Sequence, residues 1–147
     1  MSDLFYNATC VAINGIGVLI EGTPKTGKSS LALSLIDEGA KLISDDLTLL
    51  TLKNNKVYTA LVQKMPGMLF VRGLGLLKIS EVENQQVEIK ALIRLGDKED
   101  EFLTQREFIT VFGSMIPVFN FFQFDYALTK KIKAVIKLIT NEWELKE

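Results

Sequence analysis

The chain contains no histidine, one cysteine and one tryptophan in 147 residues. Without imidazole, any side-chain proton transfer at neutral pH falls to a carboxylate or another non-imidazole group. The single Cys10 lies in the apolar run TCVAI, which rules out a disulfide framework and reads as a buried, reduced thiol of a reducing compartment. Charge of one sign is also lacking: 17 basic and 18 acidic residues are mixed along the chain, so there is no electrostatic footprint for nucleic acid. Long apolar runs are missing too. The stretch Gly15 to Ile20 is too short to span a bilayer, and MSDLFY lacks the basic start of a secretory signal, so a cytoplasmic protein without a membrane partner is expected.

What is present is one core. At 48% hydrophobic, with no repeat, linker or low-complexity stretch, residues 1–147 are expected to form a single domain. A mean hydropathy of +0.21 favours some apolar surface being covered by self-association. The runs TCVAI and GVLIE around the turn residues NGIG read as two strands. Leu31, Ala32, Leu35 and Ile36 share a helical face over 28–38, and Gly39 supplies a left-handed stop. KLIS reads as a strand ending at Asp45 and Asp46, and LTLLTLKNNKVYTALV as a hairpin around Asn54 and Asn55. MLFVRGLGLLKI reads as a strand, a glycine loop and a further strand or short helix, and QQVEIKALIRL as a strand. GDKEDE, residues 96–101, reads as a solvated turn. QREFITVFGS suggests a short helix, and Asp125 a cap for a helix from Tyr126 to about Asn141. In the aromatic run of Phe119, Phe121, Phe122, Phe124 and Tyr126, core burial is expected. The fold class is therefore α/β, strand-rich, with two or three helices.

Chemistry concentrates in GTPKTGKS, Gly22 to Ser29, which matches G-x-x-x-x-G-K-[ST] between an apolar strand and an amphipathic helix. Gly22 and Gly27 let the backbone of Thr23, Pro24, Lys25 and Thr26 curl around phosphate at a helix N-terminus, where Ser30 also lies. Lys28 can reach the β- and γ-phosphates of a nucleotide such as ATP, and Ser29 can offer an oxygen to Mg2+. Asp45 and Asp46 follow at the end of the next strand, which an open α/β sheet brings close to such a loop. One can help hold Mg2+, here assigned to Asp46, and the other can take a proton from an acceptor hydroxyl, here assigned to Asp45. Arg72 in VRGLG is a further candidate, for phosphate or for locking a loop through a carboxylate.

The stretch GVLIEGTPKTGKSSLALSLIDEGAKLISDD followed by VRGLGLL resembles the C-terminal catalytic domain of HPr kinase/phosphorylase, in the short bacterial form without the N-terminal domain. The likeness covers Asn7 to Leu77 well and reaches loosely to the C-terminus. It implies a P-loop fold related to phosphoenolpyruvate carboxykinase, with mixed sheets. It also implies ATP- and Mg2+-dependent phosphorylation of a serine on the carrier HPr, reversible by phosphorolysis, with the first Asp of the pair as base. A homo-oligomer, commonly a hexamer, is implied as well. Family members usually carry histidine at the position of Asn7, and glutamate at those of Ser30 and Phe70. The basic loop that holds HPr has no clear counterpart in FNFFQFDYALTKK. These departures bear on phosphorolysis more than on transfer from ATP. Two alternatives stand beside the kinase: a nucleotide-binding regulatory module with weakened transfer, and a P-loop small-molecule kinase. The latter expects an arginine-rich lid, and the chain has only Arg72, Arg94 and Arg106.

Overall fold

The computed structural model describes residues 3–24, 26–60, 67–97 and 106–146. Strand β1 (Asp3–Tyr6) leads into the hairpin of β2 (Thr9–Ile13) and β3 (Ile16–Glu21), then α1 (Lys28–Asp37) and β4 (Lys41–Ser44). The strands β5 (Thr48–Lys53), β6 (Lys56–Thr59), β7 (Gly67–Val71), β8 (Gly75–Ile79) and β9 (Ile89–Gly96) follow. The hairpin of β10 (Glu107–Val111) and β11 (Ser114–Phe122) precedes α2 (Leu128–Ile139). Asn54 and Asn55 both take positive φ in the β5–β6 turn, at 52° and 62°, as a tight hairpin turn requires.

A six-stranded sheet of order β10-β11-β9-β3-β2-β4 forms the middle layer. Each of its faces is covered. On one side α1, α2 and β7 pack over Val11, Val18, Ile20, Ala91, Ile93 and Phe119. On the other, Leu50 and Val57 of the three-stranded sheet β1-β5-β6 pack over Cys10, Leu19, Leu92, Ile116 and Val118. Burial on both faces explains why TCVAI and GVLI read as unbroken apolar runs rather than as alternating strands. The free edge of β4 is closed by the chain after β8, where Leu42 exchanges backbone hydrogen bonds with Glu81 and Glu83 at 2.8 and 2.9 Å.

Strand direction decides where chemistry collects. β3 runs parallel to β9, and β9 to β11, while β2 is antiparallel to both β3 and β4. The carboxyl ends of β3, β4, β9 and β11 therefore meet at one edge of the sheet, together with the start of β2.

Three expectations need correction. Residues 107–111 of QREFITVFGS are strand, not helix. Phe112 and Gly113 turn the chain at φ of 50° and 79°, so β-branched and aromatic residues before and after the turn pair as a hairpin. Pro117 is tolerated because the ladder with β9 starts only at Val118. Second, α2 begins at Leu128 rather than Tyr126. The Asp125 carboxylate accepts from the Ala127 amide at 2.7 Å and so organises the turn before the helix. Third, β11 ends at Phe122, so only Phe119 of the aromatic run is fully in the core; Phe121 and Phe122 are half-buried, and Phe124 and Tyr126 are exposed. Residues 98–101 of GDKEDE lie outside the described residues.

Two measurements follow from the core. Ile132 of α2 is completely buried, and Ile132→Ala is expected to lower stability by about 2–5 kcal/mol in a denaturant titration. Cys10 is inaccessible, and burial pushes its thiol well above the ordinary range. It is expected to stay silent toward a thiol reagent at pH 8 in the native protein and to react one-for-one in guanidinium.

Candidate active site

β3 delivers the chain into the glycine loop at the common edge. Thr26 folds back on Thr23, with its amide and its Oγ1 both donating to the Thr23 carbonyl, at 3.2 and 2.8 Å. A Cβ on Gly22 would lie 2.4 Å from Thr26 Oγ1, so the loop closes only around glycine at that position. Gly27 turns the chain at φ 87° and stands as the N-cap of α1. Among the described residues no side chain caps this helix, and no acidic residue occupies its first turn. Its first amides are thus left for an external anion at the positive end of the helix dipole. Lys25 lies outside the described residues.

Asp45 gathers donors from three elements. Its Oδ1 accepts from Ser29 Oγ of α1 at 3.0 Å and from Thr9 Oγ1 of β2 at 2.9 Å, and its Oδ2 accepts from the Phe70 amide of β7 at 3.2 Å. The serine of the glycine loop and the first aspartate of the pair, sixteen residues apart in sequence, are in direct contact. Asp46 follows in a left-handed conformation, φ 64°, and turns the opposite way. Its carboxylate is largely exposed, 3.8 Å from the ammonium of the mostly buried Lys28. At that exposure the ion pair is weak and is readily exchanged for a phosphate partner.

A cleft of about 1130 Å³ opens over the loop. Gly22, Pro24, Thr26, Gly27, Lys28, Ser29 and Ser30 form its floor, Asp46, Phe70 and Arg72 one wall, and Gln123 to Tyr126 with the start of α2 the other. Thr23 is exposed beside it, and Asp45 is set back behind Ser29. Arg72 sits at the β7–β8 turn with no ion-pair partner among the described residues. Asn7, Ser30 and Phe70 all line the cleft, so the three departures from the resembled family lie in the site itself.

The donor set suits a magnesium nucleotide. Among the described residues no cluster of three or more acidic or cysteine side chains forms a metal cage. Mg2+ does not need one, since it is commonly held by one or two carboxylates, waters and substrate phosphates. Of the carboxylates lining the cleft, Asp125 is engaged by the Lys131 ammonium and the Ala127 amide, the lysine above all holding its carboxyl below the usual range. Asp46 remains. Glu21, the other conceivable substitute for a missing glutamate, is committed elsewhere: it accepts from Tyr6 OH at 3.0 Å and from Arg94 Nε at 2.6 Å. Burial, and next the Glu21 charge, push the Tyr6 phenol up to about 12, so it stays a donor.

Sequence reasoning brought together the loop, both aspartates and Arg72, and it missed Thr9 and the Phe70 amide. Thr9 had one signal, a lone hydroxyl at the head of an otherwise apolar strand. A backbone donor such as that of Phe70 leaves none.

Comparison with known proteins bears on the same residues. A family model described as HPr Serine kinase C-terminal domain matches residues 2–146. HPr kinase/phosphorylase of Mycoplasmopsis pulmonis is 36% identical over 98 residues, covering 63% of this chain and 32% of that protein. The protein of the same name from Chloroherpeton thalassium is 35% identical over 75 residues, 50% of this chain and 22% of that one. The chain thus spans about a third or less of the length of these curated relatives. Among solved structures, the HPr(Ser) kinase/phosphatase of Coxiella burnetii superposes with a TM-score of 0.81 at 24% identity, over 95% of this chain and 92% of that one, and shares its fold. With its glycine loop, paired aspartates and nearly full-length match, the chain belongs to the HPr serine kinase C-terminal domain family.

Proposed function

We propose that this protein is an ATP- and Mg2+-dependent serine kinase acting on an HPr-like phosphocarrier protein in the cytoplasm, with residues 1–147 as one catalytic domain. The observation that carries this is the contact between Ser29 and Asp45 at the mouth of an uncapped helix, beside an exposed Asp46 and the Lys28 ammonium. In this assignment the backbone N–H groups of the loop from Gly22 to Ser30, Pro24 having none, would face the phosphates, and Lys28 would reach the β- and γ-oxygens. Ser29 and Asp46 would hold Mg2+, which when bound neutralises charge on the phosphate oxygens. Arg72, which lines the cleft, would supply a further cation toward phosphate or acceptor.

Transfer then needs a base for the serine hydroxyl. An ionised carboxylate offers about four lone-pair sites. Asp45 uses three of them on Thr9, Ser29 and Phe70, which leaves one on Oδ2 to receive the serine proton. The serine oxygen bonds to the γ-phosphorus as its bond to the bridging oxygen of ATP breaks, ADP leaves, and the proton stays on Asp45. Assembly into a homo-oligomer, a hexamer by resemblance, belongs to the same proposal. A small-molecule kinase is less well supported, because Arg72 is the only arginine lining the cleft among the described residues.

The test is a single-turnover assay with γ-labelled ATP, Mg2+ and an HPr-type carrier. Label is expected on a carrier serine, and chelation of Mg2+ should abolish it. Asp45→Asn should slow transfer by about 10²–10⁴-fold while nucleotide binding survives. Lys28→Ala should cost roughly 10²–10³-fold. Nucleotide bound without transfer to any carrier would favour a regulatory module instead. The same mixture with phosphorylated carrier and inorganic phosphate measures phosphorolysis, on which the changes at Asn7, Ser30 and Phe70 bear first.

A further inference from the structure

Thr9 enters the assignment above only as one of the donors to Asp45. It is fully buried at the start of β2, with cysteine, valine, alanine and isoleucine after it. A buried hydroxyl is costly unless its hydrogen-bonding capacity is used, and here it is used in both directions. Thr9 Oγ1 donates to Asp45 Oδ1 at 2.9 Å and accepts from the Asp46 amide at 3.2 Å. One hydroxyl therefore joins both members of the carboxylate pair.

Each bond has a separate consequence. The first places Thr9 and Ser29 on the same oxygen of Asp45, so the carboxylate cannot swing away from the glycine loop without losing both. The second supports an unfavourable backbone state. Asp46 stands at φ 64°, which a non-glycine residue adopts at some cost and keeps where its surroundings hold it. With its amide tied to Thr9, the Asp46 side chain leaves toward Lys28 and the cleft rather than following Asp45 inward. Thr9 itself does not line the cleft.

We propose that Thr9 is the positioning residue of the carboxylate pair: its hydroxyl holds Asp45 on Ser29 and turns Asp46 toward Lys28 without touching either substrate. The effect on transfer rests on the whole kinase proposal above, whereas the effect on magnesium-dependent nucleotide binding rests only on its assignment of Ser29 and Asp46 to Mg2+.

The experiment compares the full chain with Thr9→Val, which keeps the shape and removes the hydroxyl, and with Thr9→Ser, which keeps the hydroxyl. A fluorescent ATP analogue is titrated with excess EDTA and with Mg2+, and transfer to an HPr-type carrier is measured in parallel. Thr9→Val should bind the analogue in EDTA as the wild type does, since the glycine loop is intact. It should lose about 10- to 100-fold of the affinity gained with Mg2+, and a similar factor in kcat with KM for the carrier little changed. Thr9→Ser should recover both. A folded Thr9→Val with the wild-type Mg2+ gain would overturn the proposal, as would a Thr9→Ser that fails as badly, because the methyl and not the hydroxyl would then matter. If Thr9→Val does not fold, hydrogen exchange on the wild type decides: the Asp46 amide should be protected, and free exchange there sinks the idea. A wild type that transfers nothing to any carrier would refute the kinase proposal and leave the EDTA-against-Mg2+ comparison to judge Thr9.

Discussion

The Asp45 carboxylate is where three parts of the chain meet. It receives a hydroxyl from β2, a hydroxyl from the first turn of α1 and a backbone amide from β7. A charged acceptor with partly buried donors makes stronger bonds than neutral groups do, and the cost of leaving it unpaired is high. The hairpin of β7 and β8, which carries Arg72 at its turn, is thereby tied to the same group that contacts the glycine loop. Displacement of any one of these elements is felt by the other two through a single side chain.

That meeting point exists because of strand direction. β4 lies two places from β3 with β2 between them, and β2 runs the other way, so the head of β2 comes up between the tails of its neighbours. Thr9 is the residue at that head. On the reverse face of the same edge, a polar row crosses the parallel strands: Glu21 on β3 meets Arg94 on β9, and Arg94 and Asn120 of β11 both reach Glu107 on β10. Partly exposed ion pairs of this kind add little to global stability. Their geometric role is to keep the strand ends in register below the loop while apolar packing on both faces supplies the free energy of folding.

The cleft also shows how a family site can change its lining while keeping its frame. Ser30 and Phe70 occupy positions where the resembled family usually has glutamate, and Phe70 is exposed to the cleft. Its backbone amide nonetheless still serves Asp45. A contact made by the main chain does not depend on the side chain, so Asp45 is held although residue 70 is not acidic. Beside the glycine loop, the carboxylate lining the cleft is that of Asp46.

Local chemistry made much of this legible from the chain alone. The spacing of glycines, lysine and serine specifies a phosphate loop because only those residue types permit the backbone curl and supply the ligands. Paired asparagines announce a hairpin through their tolerance of positive φ, and the stripe of Leu31, Ala32, Leu35 and Ile36 announces the buried face of α1. The hairpin of β10 and β11 was not legible as such, since a short apolar run has no decisive period and its partner strand settles the matter. Nor was the fate of Phe124 and Tyr126, which depended on where β11 stops. Sequence by itself determined the glycine loop at the start of α1 and the pair of carboxylates that follows, because those depend on residue type and short-range backbone geometry. Tertiary structure alone decided that Asp45 turns inward and Asp46 outward, and that Thr9 joins them, because hydrogen bonds between residues more than thirty positions apart exist only once the strands are paired.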